Sequence, residues 1–327
     1  MNRFEWVNPS SVEQAVSALG HGAVVKAGGV DLMDLLKEHL VEPTRLVNLR
    51  TVRGLDHLTD GDGGLRIGPL VTLARLAGDD AVRRRYRALA DAAGHAATPQ
   101  IRNSATVGGN LLQRPRCWYF RSEAFVCARK GGERCFALPP TGENAYHAIF
   151  GNRICAAVHP SATATALVAL GATLRIRGAG GARDAAIESF FVPPETDVLR
   201  ENALAEGELV VEIVVPPPAR GATSAYTKQG EKESYDWPLA EVAVLLEQEA
   251  GVCRRASIVL GAAAPIPHRA RAAEAALTGR RIDEGAAQAA ARAAIEGATP
   301  LAQNHHKLQL FQTIVRRTIL AARESSS

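Results

Sequence analysis

Four of the five cysteines, Cys117, Cys127, Cys135 and Cys155, fall within 39 consecutive positions of a 327-residue chain, in a polar stretch rich in glycine and proline. Segments such as Arg129-Lys130-Gly131-Gly132 and Pro139-Pro140-Thr141-Gly142 read as loop rather than helix or buried strand. A chain of this length can bury roughly three quarters of its unfolded surface, so it needs no disulfide staples, and clustered thiols then more often ligate metal. The spacing is C-x9-C-x7-C-x19-C. No gap matches the close C-x2-4-C pairing of zinc ribbons and fingers. Iron–sulfur clusters accept thiolates from irregular loops that wrap a compact cube. Metal ligation is the expectation, with a [4Fe–4S] cluster ahead of zinc; beside four thiols, His147 and His159 read as ordinary polar residues. Cys253, alone near the start of an expected strand, reads as a small buried side chain.

The remaining pattern is α+β. Ser10 and Glu13 suggest a capping box for a first helix. An apolar strand from Ala23 to Ala27 then runs into Gly28-Gly29, ahead of a helix from Leu32 to Leu40 with Asp31 as its expected cap. Further on come helices near 71–77 and 84–96, a loop over 98–103, a helix over 163–170 and strands over 173–177 and 209–215. Pro216-Pro217-Pro218 cannot continue a central strand and marks a linker. Beyond it, strands over 240–248 and 255–261 alternate with alanine-rich helices over 270–278, 284–297 and 308–322. The expected domains are 1–218, with lobes of about 1–53 and 54–218 and a cysteine-rich insertion at 114–158, and then 219–327.

Two glycine turns stand out, Gly28-Gly29 and Gly108-Gly109-Asn110, eighty positions apart. Each reads either as a tight turn or as a phosphate site, because glycine lets a backbone approach a ligand and a helix N-terminus favours an anion. Neither matches the dinucleotide or P-loop fingerprints. Two such turns together can grip a pyrophosphate from two sides. A third constellation runs from Tyr226-Thr227-Lys228-Gln229-Gly230 into Ser234-Tyr235-Asp236-Trp237-Pro238.

Composition narrows the partners. Lys+Arg exceeds Asp+Glu by 38 − 34 = 4, and the densest basic cluster, Arg83, Arg84, Arg85 and Arg87, lacks aromatic neighbours to stack on bases, so it reads as a solvated helix face. Nucleic acid is excluded. No apolar run approaches the roughly 20 residues a membrane span needs. The first nine residues carry Arg3 and Glu5 and no apolar core of a signal peptide, so a cytoplasmic protein is expected, or one exported with a signal-bearing partner.

Taken in order, Ala27-Gly28-Gly29-Val30-Asp31-Leu32, then Ile101-Arg102-Asn103 and Ala105-Thr106-Val107-Gly108-Gly109-Asn110-Leu111, then Tyr226-x-Lys228, resemble the FAD-binding subunit of the molybdenum hydroxylases. This is the xanthine dehydrogenase, carbon monoxide dehydrogenase and aldehyde oxidoreductase group, and the resemblance covers nearly the whole chain. The four-cysteine insertion is similar to that of bacterial periplasmic aldehyde oxidoreductases, whose flavin subunit carries an additional [4Fe–4S] cluster. The resemblance implies a two-lobed FAD-binding domain of the p-cresol methylhydroxylase type followed by a C-terminal α+β domain. It implies FAD held by Lys26, Ala27, Gly28, Gly29, Val30, Asp31, Leu32, Thr106, Gly109 and Asn110, with Val210 and Lys228 beside the isoalloxazine. It also implies a molybdopterin-binding large subunit, a small subunit with [2Fe–2S] clusters, and an external electron acceptor. Two positions depart from the family pattern. Val30 replaces a Thr or Asn, which removes a side-chain hydrogen bond but leaves the backbone amides, and Ala162 follows Pro160-Ser161 where the family tends to have Asp. The expected function is electron transfer, with no catalytic acid or base in this chain. The alternatives are a self-contained flavin oxidase or reductase of the same fold and a zinc-stapled scaffold without a redox role.

Overall fold

The computed structural model describes residues 2–324; residue 1 and residues 325–327, the outer ends of the two expected domains, lie outside the described residues. Three sheets organise the chain. The first is small and wholly parallel, β1 (Glu5–Val7), β2 (Ala23–Lys26) and β3 (Arg45–Asn48) in the order β1-β3-β2. Parallel neighbours need a crossover, and α1 (Val12–Ala18) and α2 (Val30–Lys37) supply it. Because strand side chains alternate, β3 buries Val47 with Ala15 of α1 on one face and Leu46 with Leu32 and Leu36 of α2 on the other. The capping pair of α1 sits one residue later than expected: Ser11 accepts the Gln14 amide, and the Gln14 side chain takes the Ser10 amide.

The second sheet is antiparallel, with β4 (Leu58–Gly61), β5 (Gly64–Ile67), β6 (Thr173–Gly178), β7 (Gly181–Ala186) and β8 (Leu209–Val215) in the order β4-β5-β8-β6-β7. Its helices are α3 (Leu73–Gly78), α4 (Asp80–Arg85), α5 (Arg87–Gly94), α6 (Pro99–Arg102), α7 (Val107–Leu111) and α8 (Ala162–Ala169). The single helix expected over 84–96 is broken at Tyr86, which leaves helical geometry to bury its ring. The loop expected over 98–103 contains α6, capped by Thr98 with Pro99 in its first turn.

The third sheet, β9 (Ala222–Gln229), β10 (Ala240–Glu249), β11 (Val252–Gly261) and β12 (His268–Arg269), runs β12-β11-β10-β9 and is also antiparallel. Val242, Val244, Ile258 and Leu260 pack in a core shared with α9 (Arg271–Leu277), α10 (Glu284–Ala293) and α11 (His306–Glu324). Tyr226, Ala243 and Val259 face the other way, into the core that holds α5 and the fully buried α8. Covered on both faces, β10 reads as a nearly continuous apolar run rather than an alternating one.

Between α7 and α8 the chain runs without regular structure except one 3-10 turn, Ala128–Lys130. This is the cysteine segment, and the C-terminal domain anchors its far arm. Lys307 of α11, 0% exposed, donates to the carbonyls of Ala262 at 2.6 Å, His147 at 3.0 Å and Tyr146 at 3.4 Å. Asn304 donates to the His147 and Ala148 carbonyls, and Asn144 and Gln303 exchange bonds. Burial pushes the Lys307 ammonium down to about 7, yet three carbonyls satisfy its donors. Lys307→Met removes the donor of the Ala262 and Tyr146 carbonyls, leaves the His147 carbonyl with Asn304 alone, and is expected to cost about 2 kcal/mol or more. Urea melts measure that loss, and limited proteolysis is expected to cut faster near residues 144–149; unchanged cleavage there would show that Lys307 does not pin the segment.

Candidate functional site: a glycine-lined cleft beside four thiols

A cleft of about 610 Å³ lies where the first two lobes meet and extends to the C-terminal domain. Its size falls in the range of ligand sites. One wall is built by β2 running into Gly28-Gly29. A Cβ on Gly28 would stand 2.1 Å from the Ser104 carbonyl oxygen, so the two lobes touch there backbone to backbone. Gly29 takes the left-handed conformation, φ 84°, as the N-cap of α2, and no side chain caps that helix. The helix therefore begins at Val30, two residues before the expected Leu32, and its first amides point at the cleft with the positive end of the helix dipole. The helix also ends earlier than the expected Leu40, at Lys37.

Asp31 is not the cap of α2 but sits in its first turn. It accepts the Arg114 amide at 3.0 Å and pairs with Arg121 at 2.7 Å and Arg116 at 2.9 Å. Three arginines just ahead of and within the cysteine segment are thereby tied to the first lobe. Sequence reasoning missed them, although their crowding around Cys117 was the available signal.

The opposite wall is α7. Gly108 and Gly109 lie inside this helix rather than in a turn after a strand, and the amides of 107–110 are all bonded within the protein, to the Val71 and Pro69 carbonyls and to Thr106. The second anion nest expected from sequence is therefore absent. What Thr106, Gly109 and Asn110 bring to the cleft is a close backbone surface flanked by a hydroxyl and an amide. Asn110 is held by the Ser161 and Thr163 hydroxyls at 2.7 and 2.6 Å, which tie down this corner without a carboxylate at Ala162.

Val210 of β8, with Ala96, Ala97 and Thr98, forms an apolar end, and Tyr235, Asp236 and Trp237 close the far side. The Arg116 guanidinium lies 4.8 Å from the Trp237 ring, and that of Arg102 lies 5.5 Å from the Tyr235 ring. Ala27, Gly28, Gly29, Val30, Asp31 and Leu32 all line the cleft, but Lys26 and Lys228 do not. Lys26 turns toward the Trp6 ring at 5.7 Å. Lys228 donates to the His95 carbonyl at 3.0 Å, behind the wall formed by Ala96 and Ala97, and burial lowers its ammonium pKa. Its reach is spent on the backbone that shapes the cleft.

The four thiols gather beside this cleft. Cys127 and Cys155 are buried, and Cys117 and Cys135 are half-buried. Cys135 and Cys155 share a hydrogen bond, and Cys117 lies within electrostatic reach of Cys127 and Cys155. Arg129, almost wholly buried, donates to the Cys155 sulfur at 3.5 Å and pairs with Glu201 at 3.2 Å. The Cys135 hydrogen bond and this cation pull the Cys155 thiol down to about 6, while burial pushes Cys117 up to about 12. Among the described residues no three His, Cys, Asp or Glu side chains stand in the arrangement a single ion needs. Cys253 lies in β11 within the C-terminal core, apart from the other four.

Two family models match the chain: the FAD binding domain in molybdopterin dehydrogenase over residues 2–218, and the CO dehydrogenase flavoprotein C-terminal domain over residues 224–322. The aldehyde oxidoreductase FAD-binding subunit PaoB of Escherichia coli (strain K12) is 36% identical over 325 residues, covering 98% of both chains. The carbon monoxide dehydrogenase medium chain of Hydrogenophaga pseudoflava is 27% identical over 327 residues, covering 98% of this chain and 97% of its own. Among solved structures, quinoline 2-oxidoreductase from Pseudomonas putida 86 superposes with a TM-score of 0.76 at 27% identity, covering 99% of this chain and 98% of the other. Carbon monoxide dehydrogenase from Hydrogenophaga pseudoflava superposes at 0.77 and 28%, with the same coverage.

Two outcomes follow from the geometry. Gly28→Ala is expected to destabilise the protein by about 2 kcal/mol or more, since backbone rather than a flexible side chain must yield; a melt matching the parent would contradict the contact. Burial holds His147, His159 and His268 neutral, with pKa values pushed down to about 4, 3 and 4. The unfolded chain binds those protons first as pH falls, so their contribution is complete above the ordinary imidazole range and is lost toward pH 4. Buried Glu241, pushed up to about 7, opposes this as a single carboxyl. Thermal midpoints are expected to be lower at pH 5 than at pH 7.

Proposed function

The chain belongs to the FAD-binding domains of the molybdopterin dehydrogenases, and on that footing we propose that it is the electron-transferring flavin subunit of a heterotrimeric molybdenum hydroxylase that oxidises aldehydes. The observation that carries the reading is the cleft itself, where Gly28 and Gly109 leave backbone surfaces bare and the first amides of α2 carry no capping side chain. These are the requirements of a pyrophosphate between two nucleotide halves. The amides of Val30, Asp31 and Leu32 hold the phosphates, Ala27, Gly28 and Gly29 let them approach, and Thr106, Gly109 and Asn110 close over the ribose. Val210 and Ala97 offer the apolar floor for the ring system. Bound FAD supplies the exchange between single electrons and electron pairs, and the protein binds, orients and shields it. The similarity to an aldehyde oxidoreductase subunit and to a medium chain supports a molybdopterin-binding large subunit and a small [2Fe–2S] subunit as partners.

Cys117, Cys127, Cys135 and Cys155 are assigned to one [4Fe–4S] cluster. Four converging thiols with a buried guanidinium against one of them suit thiolate ligands, whose charge Arg129 offsets. A four-iron cube also spreads its thiolates more widely than a single ion would.

Absorption of the purified complex is expected to combine flavin bands with broad iron–sulfur absorption, and acid precipitation is expected to release the yellow colour. Serine at any of the four positions is expected to remove about four irons per protomer while FAD remains, and Cys253→Ser to keep full iron. Zinc in place of iron in anaerobically prepared protein would overturn the cluster. Gly109→Val puts a branched side chain against Thr106 and the cleft, so a folded variant should lose flavin; retention of full FAD would sink the flavin site.

A further inference from the structure

Cys155 is met by a cation that does not line the glycine cleft. Arg129 sits in the 3-10 turn Ala128–Lys130, two residues past Cys127, whose carbonyl accepts the amides of Lys130 at 2.8 Å and Gly132 at 3.0 Å. The Arg129 side chain runs inward from that turn. The residue is 4% exposed, and its Nε lies 3.5 Å from the Cys155 sulfur. The other end of the guanidinium donates from Nη1 to Glu201 Oε1 at 3.2 Å and to the Arg200 carbonyl at 3.4 Å.

Glu201 is shared. The same Oε1 accepts from Arg114 Nε and Nη2 at 3.1 and 2.8 Å, and the Arg114 amide bonds to Asp31, in the first turn of α2, at 3.0 Å. A continuous run of hydrogen bonds therefore joins the helix that borders the cleft to one of the four thiols. Two guanidinium groups and one carboxylate leave one positive charge in excess, and burial of Arg129 keeps water from screening it. Reduction of a cluster held by four thiolates adds negative charge to an already anionic group. A buried cation bonded to a ligand sulfur stabilises that added charge, since hydrogen bonds to the sulfurs, net charge and burial set such potentials. An anion on the far side of the same guanidinium works against it.

We propose that Arg129 is a positioning residue for the cluster, one that orients Cys155 as a ligand and raises the reduction potential, while Glu201 holds that potential back. The proposal rests on the assignment above of the four cysteines to one [4Fe–4S] cluster. It gives two neighbours in one hydrogen-bond network effects of opposite sign, which a purely structural role for the network would not.

The test is a redox titration of the assembled enzyme, followed by the low-temperature electron paramagnetic resonance of the reduced [4Fe–4S] cluster, with the small subunit's [2Fe–2S] centres as internal reference. Arg129→Met is expected to lower the [4Fe–4S] potential, so that at a fixed ambient potential the ratio of reduced to oxidised cluster falls roughly ten-fold or more, ~59 mV for a one-electron couple. Arg129→Lys keeps the charge but not the planar fork and is expected to fall between that variant and the parent. Glu201→Gln keeps an acceptor for both arginines and is expected to raise the potential. FAD content and the [2Fe–2S] potentials are expected to stay at parent values. Iron-replete variants with the parent's [4Fe–4S] potential, or shifts of the same sign at both positions, would overturn the proposal and leave the cluster assignment standing. A parent enzyme that lacks the [4Fe–4S] signal and its iron would overturn the cluster assignment and the proposal with it. If Arg129→Met loses its iron, Arg129→Lys and Glu201→Gln decide by the same measurement.

Discussion

Where Gly28 meets Ser104 there is no room for a side chain, and that close passage of two backbones sets the geometry of everything around it. It brings a parallel three-stranded lobe against a helix-covered antiparallel one, with α2 starting on one side and α7 on the other, while Val47 and Leu49 pack with Leu209 elsewhere along the same seam. A helix that starts on a left-handed glycine has unfilled amides, and here they face the crevice between the lobes. The cleft is thus a by-product of how the lobes touch, and the unfilled polar groups at the start of α2 are backbone rather than side chain.

The second organising theme is buried charge that is always answered. Asp31 is answered by Arg116 and Arg121, Arg129 by Glu201 and the Cys155 sulfur, and Lys307 by three carbonyls. Each pair or set joins the irregular cysteine segment to a different part of the molecule. A loop of that length cannot hold its shape through local hydrogen bonds, and burying an unpaired charge would be prohibitive. The arginines and the lysine tie the segment that carries the thiols to the rest of the molecule beside the cleft.

Much of this was legible in the sequence. The strand–Gly28-Gly29–helix order, the triple proline between β8 and β9, the two-face burial of β10 and the buried, separate position of Cys253 follow from local pattern, because turn chemistry and hydrophobic periodicity act over a few residues. The ordered motifs carried the family, and the family carried the fold.

Other features depended on contacts between distant residues. Local pattern makes Asp31 look like a cap, but Arg114, Arg116 and Arg121, more than eighty positions later, claim it. Gly108 and Gly109 look like an anion nest, but the Pro69 carbonyl and the Thr106 hydroxyl take their amides. Lys228 looks free to reach a ligand, but the His95 carbonyl holds it. Composition and spacing determined which groups the chain carries and which segments can be helix, strand or loop. Only the tertiary structure decided which of those groups remain available, because a hydrogen-bonding group satisfied by a partner far along the chain leaves no mark in its own neighbourhood.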